Sequence, residues 1–92
     1  MVNAVVLLKV RTGRINEVAQ ELVELEGVSE VYSVAGQYDL VAILRVPGDT
    51  QLASLVTEKM LKTEGLISSE TLIAFRAYSQ HDLERMFSVG LE

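Results

Sequence analysis

Apolar residues dominate the first ten positions: Val2, Ala4, Val5, Val6, Leu7, Leu8 and Val10 are interrupted only by Asn3 and Lys9. A β-branched, leucine-rich run of this length predicts a strand over 2–10. Thr12-Gly13 breaks it, and the spacing then changes. Ile15, Val18, Ala19, Leu22 and Val23 recur at helical intervals, with Asn16, Glu17, Gln20, Glu21 and Glu24 on the other side. This predicts a helix with Thr12 as its N-cap and Gly27 as its stop. A more polar strand is expected over 28–35, then a turn at Gly36-Gln37, then an apolar strand over 38–46 ended by Pro47-Gly48. Asp49 or Thr50 caps a second helix, whose apolar face holds Leu52, Leu55, Val56 and Met60. Gly65 marks its exit. A fourth strand is expected over 69–78. Ser79 opens a short third helix with Leu83, Met86, Phe87 and Leu91 on one face.

Strand, helix, strand occurs twice. The exits Glu26-Gly27-Val28 and Glu64-Gly65-Leu66 read as a weak internal repeat. Two such halves with right-handed crossovers predict an α+β fold. It is a ferredoxin-like βαββαβ with a four-stranded antiparallel sheet and a C-terminal helix. The first and third strands are then central. Their side chains are apolar in both alternating sets: Val6 and Leu8 against Val5 and Leu7, and Leu40, Ala42 and Leu44 against Val41 and Ile43. Ser29, Glu30, Ser33, Glu70 and Arg76 mark the other two strands as edges. Two helices cover one face of such a sheet. The other face would expose on the order of several hundred Å² of apolar surface, so a homodimer packed sheet to sheet is expected, forming a dimeric α+β barrel. The alternative is a monomer whose C-terminal helix folds back over that face.

At 92 residues the chain is expected to form one domain spanning 1–92. Its net charge of −5 and lack of any Lys/Arg run argue against direct nucleic-acid binding and against an anionic membrane surface. There is no Cys, hence no disulfide framework, thiolate metal site or Cys nucleophile. Met1-Val2-Asn3 has no signal-peptide character, and a cytoplasmic location is expected.

Catalytic material is sparse. The single His81 sits beside Asp82 and near Ser79, but these read as a helix start rather than a triad, whose members converge in space. Glu17, Glu21 and Glu24 share a helix side and read as a solvated face, so no metal is expected; no cofactor motif is present. The remaining candidate is the turn Gly36-Gln37-Tyr38-Asp39. Gly36 allows a ligand close approach, and exposed turn amides suit a carboxylate. Asp39 can accept from an ammonium, and Tyr38 can supply a wall and a hydroxyl. The same residues also make an ordinary hairpin whose Asp bonds local backbone. The residues alone leave both readings open.

The run Val34-Ala35-Gly36-Gln37-Tyr38-Asp39-Leu40, inside two βαβ halves and followed by Glu64-Gly65-Leu66, resembles the effector-binding domain of the Lrp/AsnC family. These are leucine- and asparagine-responsive transcriptional regulators. The chain looks like a stand-alone version without the helix-turn-helix domain that usually precedes the module. The resemblance implies a role in transcription regulation, pairing through the sheets, and further assembly into octamers or related rings. It also implies an amino acid bound in clefts between dimers, and co-assembly with full-length relatives. The implied ligand residues are Gly36, Gln37, Tyr38 and Asp39, with Ser69 and Thr71 as candidates for a facing wall. Many members have Thr before the glycine, where this chain has Ala35. The competing class is a small cofactor-free enzyme of the dimeric α+β barrel type, which needs a polar pocket between sheet and helices.

Overall fold

Backbone hydrogen bonding and alternating burial build the sheet expected from the sequence. In the computed structural model, which describes residues 1–78 and Gln80, β1 is Val2–Val10, α1 Ile15–Val23, β2 Val28–Ser33 and β3 Leu40–Val46. Helix α2, Asp49–Ser54, runs on into a π turn, Leu55–Lys59, and a 3-10 turn, Met60–Lys62, before β4, Leu66–Ile73. The strands lie in the order β2-β3-β1-β4, all antiparallel. This is the ferredoxin-like α+β arrangement, with β1 and β3 central. The third helix expected from Ser79 lies outside the described residues.

Alternation divides the central strands between two environments. Ala4, Val6, Leu8 and Val10 of β1, with Leu40, Ala42, Leu44 and Val46 of β3, are buried under the helices. Val18 and Leu22 of α1 and Leu52, Leu55 and Met60 of the second helical segment complete this core. The intervening residues face the other way. Val5 stands opposite Ile43 and Leu7 opposite Val41, with Leu72 of β4 beside Val5 and Tyr32 of β2 beside Val41. These four central side chains are half-buried, and Tyr32 and Leu72 are exposed. On the same face, the side-chain oxygen of Asn3 is buried without a hydrogen-bond partner.

The two halves repeat in detail. Gly27 carbonyl accepts from Arg45 N–H at 2.8 Å, and Gly65 carbonyl accepts from Arg11 N–H at 2.8 Å. Each edge strand then slips register just after its glycine, between Val28 and Glu30 and opposite Lys9/Val10. Both glycines are also packing points. A Cβ on Gly27 would meet Val46 and Leu55 at 2.8 and 2.9 Å, while one on Gly65 would meet Arg14 and Val18 at 3.1 and 3.3 Å. Each half thus docks its turn onto the helix of the other.

Several expected details differ. Thr12 is not the cap of α1: Arg14 holds that position without a side-chain cap bond. Thr12 lies instead inside a turn closed by Arg14 N–H donating to Arg11 carbonyl at 3.0 Å. Gly48, not Asp49 or Thr50, precedes α2. Strand β4 begins earlier and ends sooner than expected. Its last bond to β1 runs from Ala74 N–H to Asn3 carbonyl at 2.9 Å, next to the first residue of β1, Val2. Phe75 and Tyr78 follow, 99% and 73% exposed. The π turn is a further departure from the expected helix. Met60 N–H bonds Leu55 carbonyl, a five-residue step that brings Leu55 and Met60 into the core together.

Candidate functional site

The β2–β3 hairpin ends in a four-residue loop, Ala35-Gly36-Gln37-Tyr38, closed by Val34 N–H donating to Asp39 carbonyl at 3.0 Å. Gly36 has φ of 133°, a conformation side chains disfavour, and open space where a Cβ would stand. Gly36 and Gln37 are exposed, whereas Tyr38 and Asp39 are half-buried behind them.

Asp39 is tied to β1 at both its backbone and its side chain. Its N–H donates to Leu8 carbonyl at 2.9 Å, and its Oδ2 accepts from Val10 N–H at 2.8 Å. The carboxylate extends the β1–β3 ladder one step beyond the backbone's own pairing. A carboxylate has lone pairs beyond the one this bond occupies. The Val10 amide is the partner that sequence reasoning missed; no local signal near Asp39 points to a strand 29 residues earlier.

Ser69 and Thr71 lie across β1 from this turn. Ser69 pairs with Leu8 and Thr71 with Val6, while Leu8 pairs with Leu40 on its other side. Ser69 is therefore two strand spacings from Leu40, roughly 10 Å, at the same end of the sheet; Thr71 lies further in. Both are half-buried and share the helix-side face. The fold brings Gly36 to Asp39 together as one loop, Ser69 within range of it, and Thr71 to a more distant row.

Other candidates divide similarly. Glu17 belongs to a solvated helix face, 3.8 Å from Arg14. Among the described residues no three His, Cys, Asp or Glu side chains converge as metal ligands. Ser79, His81 and Asp82 lie outside the described residues. On the open sheet face the Tyr32 hydroxyl donates to Glu30, and this bond, with the nearby negative charge, raises the Tyr32 pKa above its usual value. No helix among the described residues is long and apolar enough to cross a membrane.

A cavity of about 450 Å³ lies at the other end of β3, lined by the α1–β2 turn, the β3–α2 junction and the π turn. Glu26, Gly27, Val46, Ser54, Leu55 and Lys59 are among its walls. The seven residues of β3, about 20 Å of extended chain, separate it from the hairpin loop. Glu26-Gly27 was legible as a helix exit, but nothing in the sequence announced the wide turn that opens this space.

Comparison with known proteins agrees with the geometry. The family model for the Lrp/AsnC ligand binding domain matches residues 3–83. The HTH-type transcriptional regulator FL11 of Pyrococcus furiosus is 30% identical over 77 residues, covering 84% of this chain and 50% of FL11. The chain thus spans about half the length of this curated relative. The crystal structure of TTHA0845 from Thermus thermophilus superposes with a TM-score of 0.82 at 44% identity, covering 87% of this chain and 100% of that one. The feast or famine regulatory protein of M. tuberculosis, complexed with L-methionine, shares the fold at a TM-score of 0.71 and 23% identity, covering 87% and 54%. From the sheet order, the glycine hairpin and the match over most of its length, the chain belongs to the Lrp/AsnC ligand binding domain family.

Proposed function

We propose that this chain is an amino-acid-sensing and assembly module of transcription regulation. Two copies pair through their open sheet faces, pairs assemble further, and a small effector seats at the Gly36-Gln37-Tyr38-Asp39 loop where pairs meet. The observation that carries this reading is the loop itself: exposed Gly36 and Gln37, with half-buried Asp39 anchored to Val10 behind them. Turn amides suit an α-carboxylate. The lone pairs of Asp39 not used by the Val10 amide suit an α-ammonium. Tyr38 would wall the side chain, and Ser69, nearer than Thr71, would supply a hydroxyl from the facing strand.

Pairing is supported by the apolar open face and by the orphaned Asn3 oxygen on it, which a partner copy could satisfy. The relatives' names support regulation over the enzyme alternative. The L-methionine complex of the mycobacterial relative supports an amino acid as the effector class. With a net charge of −5, the chain would reach DNA through relatives that share its pairing face.

Calorimetry against the twenty amino acids tests the site. Asp39→Asn is the informative variant, because an amide oxygen still accepts from Val10 while the charge is gone. Binding of at least one amino acid, weakened about tenfold in Asp39→Asn, is expected. No heat for any amino acid, or equal affinity in the variant, contradicts the assignment.

A further inference from the structure

The cavity beyond β3 carries a second, separate ligand chemistry. Its charged walls come from different elements: Glu26 from the α1–β2 turn and Lys59 from the last position of the π turn. These two are not ion-paired with each other. Arg45 also borders the space, but its strand position alternates with buried Leu44 and Val46, so its side chain belongs to the opposite face and its backbone to the cavity. Thr50, Gln51 and Ser54 add hydroxyl and amide groups, and Val46, Pro47 and Leu55 form an apolar wall. A volume of about 450 Å³ falls within the range of small-molecule sites. The π turn is a second, independent mark of the place, since such wide turns are common at functional sites. Here it sets Leu55 and Lys59 around the opening.

We propose that this cavity binds a zwitterionic α-amino acid, with its ammonium on Glu26, its carboxylate on Lys59 and its side chain against Val46, Pro47 and Leu55. One anion and one cation on separate walls match a head group carrying one charge of each sign. A purely anionic or purely cationic ligand would leave one wall opposed. The site does not depend on the hairpin loop, and the two stand or fall separately.

The experiment is a titration of the ¹⁵N-labelled chain with each of the twenty amino acids, followed by amide NMR. The amino acid giving the largest response is then replaced by its N-acetyl derivative and by its α-amide. At least one free amino acid should shift the amides of Gly27, Val46 and Ser54. Each blocked derivative should bind there about tenfold more weakly, because each loses one charge-assisted contact. Glu26→Gln and Lys59→Gln should each weaken the same response while leaving that of Gly36 and Gln37 unchanged. Silence at Gly27, Val46 and Ser54 with every amino acid, or equal binding of the blocked derivatives, overturns the proposal even if the hairpin responds. Response at the cavity with a silent hairpin supports it and removes the hairpin site instead.

Discussion

Asp39 holds structure and ligand chemistry at one carboxylate. Its bond to the part-buried Val10 amide means that Asp39→Ala leaves that donor unsatisfied. The expected cost is about 1–3 kcal/mol, read as a lower urea midpoint at unchanged slope. Asp39→Asn should lose much less. Equal stability of wild type and Asp39→Ala would show the bond to be of no consequence. Tyr32 offers a second test at this scale. Its neutral hydroxyl donates to Glu30, so ionisation is disfavoured and the pairing is present below the ordinary tyrosine range and lost as pH rises through the raised value. Ultraviolet titration should place Tyr32 above its ordinary pKa of about 10, and Glu30→Gln should bring it back down. The types at this site were readable from the sequence: a glycine turn, an aromatic and a carboxylate. The partner of Asp39 was not, because Val10 meets it only through the pairing of β1 with β3.

Turns between elements explain why some glycines matter more than others. Gly27 combines a φ of 100° with side-chain atoms of Val46 and Leu55 already inside contact distance of a Cβ. Gly27→Ala should therefore cost about 2–4 kcal/mol, the sum of a backbone penalty and overpacking. Gly36→Ala faces open space and should carry the backbone penalty alone, about 1–2 kcal/mol. Thermal melts of the two variants side by side would expose an error if Gly36→Ala were the worse. Strand and helix order was legible because period-two and helical patterns alternate cleanly. Ends were less so. Strand β4 stops pairing beside Asn3, near the start of β1, and pairing length is a property of two strands together. The π turn escaped for a related reason. Leu55 and Met60 are five residues apart, and only their shared place in the core shows that the helix must widen to seat both.

At the scale of the whole molecule, the alternation in β1 and β3 carries the most weight. It correctly indicated an apolar helix side, where Leu8 and Leu40 are fully buried, and a second apolar side centred on Val5, Leu7, Val41 and Ile43. The second side is left half-exposed by the described residues, and we assign it to another copy of the chain. Covering it gains roughly 25 cal/mol for each Å² of apolar area removed from water. Ile43 lies at its middle, opposite Val5, so Ile43→Lys would bury a charge there on pairing. The effector cleft we propose between pairs requires that pairing first. Sedimentation velocity at low micromolar concentration tests it most directly, on the wild-type chain and on Ile43→Lys with its secondary structure checked by circular dichroism. We predict a dimer or larger assembly for the wild type and a folded monomer for the variant. A monomeric wild type, or an assembly that Ile43→Lys leaves intact, would contradict sheet-to-sheet pairing.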